Sequence, residues 1–288
     1  MVGRTVLGIA PPGVAVLAGS IRFQGEDWLG LPEAARRARL GRDIALIPQD
    51  PLTALNPGHT IGAQFGDLLR LHLGLERAQA RARAVELLES VQIRSPGSVV
   101  RSYPHELSGG MRQRVLIAMA FACSPRLVIA DEATTALDVT VQRQVLRLLR
   151  DLQRGGQRDL QRDSQPDLQR DGRPDPQRDS QPGSGSDGDG TAVLFITHNL
   201  GLVAKLADSV SVIHAGRIVE HGGVHDIFQA PRAEYTRALF AATPRYDRPA
   251  ESLRPIDTRV TDQLQAQADA YDRAWWPAHT SKRKRAHA

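Results

Sequence analysis

Two acids stand side by side at Asp131-Glu132, directly behind the apolar run Leu127-Val128-Ile129-Ala130. A compact run of this kind predicts a buried strand, and open α/β sheets bind ligands beyond the C-terminal ends of their strands. Carboxylates are costly to desolvate, so a buried strand that ends in two of them has few structural excuses. Their chemistry would be divided: one holds Mg²⁺ while its neighbour orients or deprotonates a water. Earlier in the chain, Ser108-Gly109-Gly110 precedes a helical pattern. Serine is a good N-cap, glycines let backbone amides approach an anion, and a helix N-terminus suits phosphate. Alone, the same triplet reads better as a plain turn ahead of a core helix. A third strand-like run, Ala192 to Ile196, is followed by Thr197-His198. His198 could hydrogen-bond a phosphate oxygen, although a lone histidine there is more often structural.

These residues need a scaffold that gathers strand ends. Val2 to Ile9 reads as a short helix closed by Pro11-Pro12-Gly13, and Ser20 to Phe23 as a short strand before turn residues Gln24-Gly25-Glu26-Asp27. Ile44 to Ile47 is a second buried-strand run, ending at Pro48-Gln49-Asp50-Pro51. Leu68, Leu69, Leu71, Leu75, Val85, Leu87, Leu88 and Val91 fall at three- and four-residue spacings and predict helix between Ile61 and Val91. The Ser108 helix runs through Ala122 and is halted by Pro125; Val139 to Leu152 predicts another amphipathic helix, and Leu200 to Leu206 a third. Ser209 to Ile213 and Arg217 to Glu220 flank Ala215-Gly216 like a hairpin. Strands alternating with helices imply a largely parallel α/β sheet. Between Gly155 and Gly190 a tetrapeptide period, QRDL-QRDS-QPDL, offers almost nothing apolar to bury and is interrupted by prolines; it predicts a disordered insertion.

Composition narrows the classes. The 288 residues are 41% hydrophobic, ordinary for a globular domain. The longest apolar run, Val115 to Cys123, is far short of the roughly 20 residues that span a bilayer, so a role at a membrane must come through a partner. A signal peptide is a poor reading of the proline-interrupted N-terminus. The lone Cys123 excludes an internal disulfide. Net charge is +5, but much of the Arg is balanced by Asp in the repeat or sits in the tail Ser281-Lys282-Arg283-Lys284-Arg285, which reads as a solvated end rather than a nucleic-acid arm.

Taken together, Leu107 to Arg114 resembles the signature motif of the ATP-binding-cassette (ABC) family, and Leu127 to Glu132 its Walker B strand. Ala136-Leu137-Asp138 is similar to the D-loop, His198 to the switch histidine and Gln49 to the Q-loop glutamine. Gln49 to Pro57, Ser102 to Glu106 and Glu234 to Leu239 resemble the peptide/nickel importer ATPases within that family. The iron–sulfur cysteines of some members cannot exist here. The resemblance implies a RecA-like P-loop NTPase core with an α-helical subdomain. Its expected divisions are core 1–58, helical subdomain 59–106, core with signature, Walker B and D-loop 107–154, insertion 155–190, core and C-terminal extension 191–245, and tail 246–288. It further implies ATP and Mg²⁺ as cofactors, with Glu132 as general base and Asp131 as a Mg²⁺ holder through its water shell. Gln49 would sense the metal and lytic water, and His198 the γ-phosphate. Ser108, Gly109, Gly110, Met111 and Gln113 would face a nucleotide held by the partner, and Asp138 would cross the dimer interface. Expected partners are a second ABC ATPase subunit, permease subunits at the cytoplasmic face of the membrane and, indirectly, an extracytoplasmic solute-binding protein. Nucleic acid is not among them. A repair or translation ATPase of the same superfamily is the reading these segments disfavour.

The family's phosphate loop, G-x-x-x-x-G-K-S/T, occurs nowhere in the sequence. Met1 to Gly8 resembles the helix that follows that loop, which leads to the expectation of a core lacking its first strands and its loop. Either the gene starts further upstream, or the chain is a degenerate subunit that only supplies its signature motif to a partner's ATP site. Ala133, where the family usually has proline, fits the second.

Overall fold

The computed structural model describes residues 2–9, 14, 16–133, 142, 145, 149–150, 190–243 and 255–285. The expected D-loop with Asp138, nearly all of the repeat insertion and most of the Val139–Leu152 helix lie outside them. The contact pattern separates two units, Met1–Ile196 and Thr197–Ala288.

The first unit is organised on a parallel sheet of order β3-β4-β5, with β3 at Ile44–Ile47, β4 at Leu127–Asp131 and β5 at Ala192–Ile196. Its register sets Ile44 beside Leu127 and Leu127 beside Ala192, so β3 and β4 are level where the site residues begin. Val128, Ile129 and Ala130 are fully buried, as expected for a central parallel strand covered on both faces. The chain re-enters the sheet tightly after the repeat: the buried Thr191 hydroxyl donates to the Pro125 carbonyl at 2.7 Å, and the Ala192 N–H donates to Arg126 at 2.9 Å.

Helix α1 (Val2–Val6) lies on this sheet, and Gly3 is buried there because a Cβ would meet Ile129 Cγ2 at 2.9 Å. Of the four residues read as turn, Gln24 and Gly25 do turn, while Glu26 and Asp27 form a strand that closes a small hairpin. β1 (Arg22–Phe23) pairs with β2 (Glu26–Asp27) around Gln24 and Gly25, which both adopt positive φ. That hairpin delivers Trp28, fully buried, into a core formed with Leu7, Ile44 and Ile129. The Trp28 indole N–H donates to the Val6 carbonyl at 2.6 Å, satisfying its one polar atom. Arg39, on α2 (Glu33–Arg39), lies 5.2 Å from the Trp28 ring and 5.4 Å from Phe23 while pairing with Asp43 and Glu26.

The periodic stretch from Ile61 to Val91 is two helices, α4 (Ile61–Leu73) and α5 (Arg77–Ser90), after the short α3 (Pro51–Ala54). Thr60 caps α4 by accepting from the Ala63 N–H, and Gly74 ends it in the left-handed conformation, φ 66°. A short helix α6 (Pro96–Val99) and a 3₁₀ turn (Pro104–Glu106) lead into α7 (Gly109–Phe121), which packs against α3, α5 and β3.

The second unit contains α8 (Leu200–Leu206), the antiparallel hairpin β6 (Ser209–His214) and β7 (Arg217–Gly223), then α9 (Val224–Gln229), α10 (Glu234–Ala242) and the long α11 (Thr258–Arg285). No helix among the described residues is long and apolar enough to cross a membrane.

Candidate functional site

Gln49 stands one residue beyond the end of β3, after Pro48, and its position is fixed on both sides. Asp50 behind it caps α3 by accepting from the Leu52 N–H at 2.8 Å, with Pro51 in the first turn where its missing N–H costs nothing. The parallel register then brings Gln49 opposite the end of β4. Its carboxamide Nε2 donates to Glu132 Oε2 at 2.8 Å. Two residues read separately from the sequence are thus one hydrogen-bonded pair.

Glu132 has φ 49°, a conformation that costs a non-glycine residue of order 1–3 kcal/mol and that clusters at functional sites. Its backbone N–H donates to the Ile196 carbonyl at 2.9 Å, which extends the β4–β5 ladder by one bond and holds the bend. Asp131 is the last residue of β4, paired with Ile196. Both acids are half-buried. The Glu132 carboxylate and the Gln49 amide therefore meet beyond the C-terminal edge of the sheet, next to the last strand residue Asp131, where an α/β fold presents its ligand groups.

Ser108 does cap α7: its hydroxyl accepts from the Met111 N–H at 3.3 Å, with φ −66° and ψ 159°. Ser108 and Gly109 are exposed, Gly110 and Met111 half-buried, and no atom lies within 4 Å of where a Gly109 Cβ would sit. The first-turn amides have no acceptor within the helix. This is a surface an anion could approach closely.

The rest of that motif is spent differently. Arg112 Nε donates to the Pro104 carbonyl at 2.7 Å, and Arg114 Nη1 donates to Val91 at 3.0 Å and to Gln92 at 3.2 Å. The two arginines hold the 3₁₀ turn and the C-terminal end of α5 against α7. Glu106 reinforces the turn by accepting from the Tyr103 N–H at 2.7 Å. Gln113 lies off the Ser108–Gly109 surface, 1% exposed, with Nε2 unpartnered. Nothing in the sequence pattern separates these inward residues from the exposed ones, since all sit in one short run.

His198 belongs to the second unit, just before α8, whose N-cap Asn199 accepts from the Leu202 N–H at 3.3 Å. Asp138 lies outside the described residues. No group of three or more His, Cys, Asp or Glu side chains capable of holding a metal occurs among the described residues. Asp131 supplies the carboxylate oxygens that Mg²⁺ takes alongside waters and phosphate oxygens, and Glu132 adds a second carboxylate next to it in the chain.

The ABC transporter family model matches residues 4–135. The chain is 44% identical over 255 residues to the peptidoglycan transport ATP-binding protein YejF of Agrobacterium fabrum, covering 88% of this chain and 41% of that protein. It is 40% identical over 256 residues to the dipeptide transport ATP-binding protein DppD of Escherichia coli, covering 87% and 68%. With the oligopeptide transport ATP-binding protein OppD of Bacillus subtilis the identity is 43% over 234 residues, 81% and 56% of the two chains. Among solved structures, the ADP- and Pi-bound dimer of the cassette MJ0796 superposes with a TM-score of 0.54 at 20% identity, covering 72% of this chain and 74% of that one.

Proposed function

The chain belongs to the ATP-binding proteins of the ABC transporter family, with the cassette fold, and on that premise we propose that it energises solute uptake through a membrane permease. The solute we infer is a peptide or a related solute, because relatives along most of the chain are named for dipeptide and oligopeptide transport; nickel is the other solute of the importer group that Gln49 to Pro57 resembles. The observation that carries the catalytic reading is the Gln49–Glu132 hydrogen bond at the edge of the sheet. Glu132 would take the proton of the attacking water, Gln49 would set the orientation of that carboxylate, and Asp131 would hold Mg²⁺ through its water shell. Bound Mg²⁺ neutralises charge on the phosphates during in-line phosphoryl transfer. His198 would contact the γ-phosphate. Ser108, Gly109 and Gly110, with Met111 and Gln113 behind them, would complete the nucleotide site of a second ATPase subunit, and Asp138 would lie at that interface. The complex would sit at the cytoplasmic face of the membrane and take solute from an extracytoplasmic binding protein.

The second reading is a subunit that does not hydrolyse ATP itself and only lends its signature helix to a partner. What supports it is that Ser108 and Gly109 stand exposed at the capped start of α7, where a nucleotide held by a second subunit could reach them. One experiment separates the two: ATP turnover of the complex assembled with its second ATPase subunit and permease, with and without Glu132→Gln. A drop of about 10²–10⁴, the usual worth of a general base, supports hydrolysis at this chain's acids. Unchanged turnover supports the lending role.

A further inference from the structure

The second unit contains a cavity of about 260 Å³ between the β6–β7 hairpin, the first turn of α10 and the N-terminal part of α11. Its apolar lining comes from Val260 and Leu264, one helical turn apart on α11, and from Ile218 of β7. Polar groups enter from each of the three elements.

Arg217 comes from β7. Its guanidinium carbon lies 5.3 Å from the Tyr271 ring, which supports its flat face and leaves the N–H edges for hydrogen bonds. Glu234 comes from the start of α10. Among the described residues neither Arg217 nor Glu234 has an ion-pair partner. Just ahead of α10 the Glu220 carboxylate accepts from the N–H groups of Arg232 at 2.7 Å and Ala233 at 3.2 Å. Of the residues lining the cavity, Arg217 carries the guanidinium, and the His214 imidazole stands against Tyr235 with ring centroids 4.5 Å apart. Gln263 and Gln267, four residues apart on α11, add carboxamides that can donate and accept on the same rim.

A guanidinium, a carboxylate, paired amides and an aliphatic wall in one concavity match a molecule that carries both charges and an apolar side chain. The volume is below the roughly 300–1,000 Å³ of sites for drug-sized ligands, which sets the occupant at the size of an amino acid or dipeptide. We propose that this cavity binds such a small zwitterion, its carboxylate on Arg217, its ammonium on Glu234 and its side chain against Val260 and Leu264. All its residues lie in the second unit, so it does not depend on the nucleotide chemistry proposed above.

The test is calorimetric titration of the full chain with L-alanyl-L-leucine in the absence of nucleotide. Saturable one-to-one binding is expected, weakened at least tenfold for the N-acetylated, C-amidated analogue and at least tenfold by either Arg217→Gln or Glu234→Gln. Both side chains are exposed, so the variants should retain the parent's circular dichroism spectrum. No saturation up to millimolar dipeptide, equal affinity for the blocked analogue, or undiminished affinity in either variant would overturn the proposal. None of these outcomes bears on ATP turnover.

Discussion

The Gln49 carboxamide and the Glu132 carboxylate, 83 positions apart in the chain, meet at 2.8 Å because β3 and β4 run parallel and in register. A neutral amide that holds a carboxylate in this way limits its rotamers without removing its charge. Gln49→Ala should lower ATP turnover of the assembled complex less than Glu132→Gln does, because it loosens the base rather than deleting it. The double variant should be no slower than Glu132→Gln alone, since groups acting as a unit are not additive. Steady-state rates of the four proteins test this, and a double variant well below both singles would show that the two act independently.

Ser108 offers a separable prediction about the α7 N-terminus. Its hydroxyl satisfies the Met111 N–H, so Ser108→Ala should lower stability by about 0.5–2 kcal/mol. Ser108→Asp keeps a cap and should keep the stability, yet it places a negative charge where a nucleotide phosphate is expected. Turnover of the complex should therefore fall more with Asp than with Ala, although the Asp variant is the more stable in denaturant titration.

Close approach of backbone decides a third case. At Gly62 a Cβ would lie 2.6 Å from the Val100 carbonyl oxygen, next to the Gly62 N–H···O bond of 2.8 Å to that same residue. Backbone cannot swing aside as a side chain can. Gly62→Ala should destabilise the chain by about 1–3 kcal/mol despite alanine's better helix propensity, whereas Gly66→Ala, with open space around it, should stabilise α4. Equal melting temperatures for the two variants would contradict this.

The Asp43 carboxyl gives a pH dependence. Burial alone would raise its pKa, but hydrogen bonds from Arg39 and Arg42, with their charges, outweigh that and hold it below its ordinary 3.8. A carboxylate with a depressed pKa in the folded state contributes stability above its unfolded value, and this is lost as pH falls through the folded one. Asp43→Asn should be less stable than the parent near pH 6, and the gap should narrow on acidification to about pH 3. Urea midpoints at the two pH values measure it.

Cys123 gives a simple reactivity test. Its thiol is pushed up to about 11 by burial, so little thiolate exists near neutral pH. Alkylation by iodoacetamide should be at least tenfold slower in the folded chain than in urea. Comparable rates would mean that this end of α7 opens readily.

The motifs were legible because their residues are close in sequence. A compact apolar run ending in Asp131-Glu132, a Ser108 cap before a helical period, and a hairpin around Ala215-Gly216 are local patterns, governed by strand and helix periodicity and by capping. The fold class followed from the alternation of such elements. Where local pattern was ambiguous the reading was coarser: Gln24 to Asp27 carries turn residues, yet Glu26 and Asp27 ladder with Phe23 and Arg22, ahead of the buried Trp28.

What only the tertiary structure decided is which residues of a motif face outwards and what they meet across the chain. Gly109 is open to solvent while Gln113 is buried, and Arg112 and Arg114 are consumed by backbone carbonyls of distant segments. The positive φ of Glu132 and its contact with Gln49 arise from strand pairing across many intervening residues. No local preference encodes such pairings, because they exist only once the sheet's register is set by the shared burial of β3, β4 and the core around Trp28.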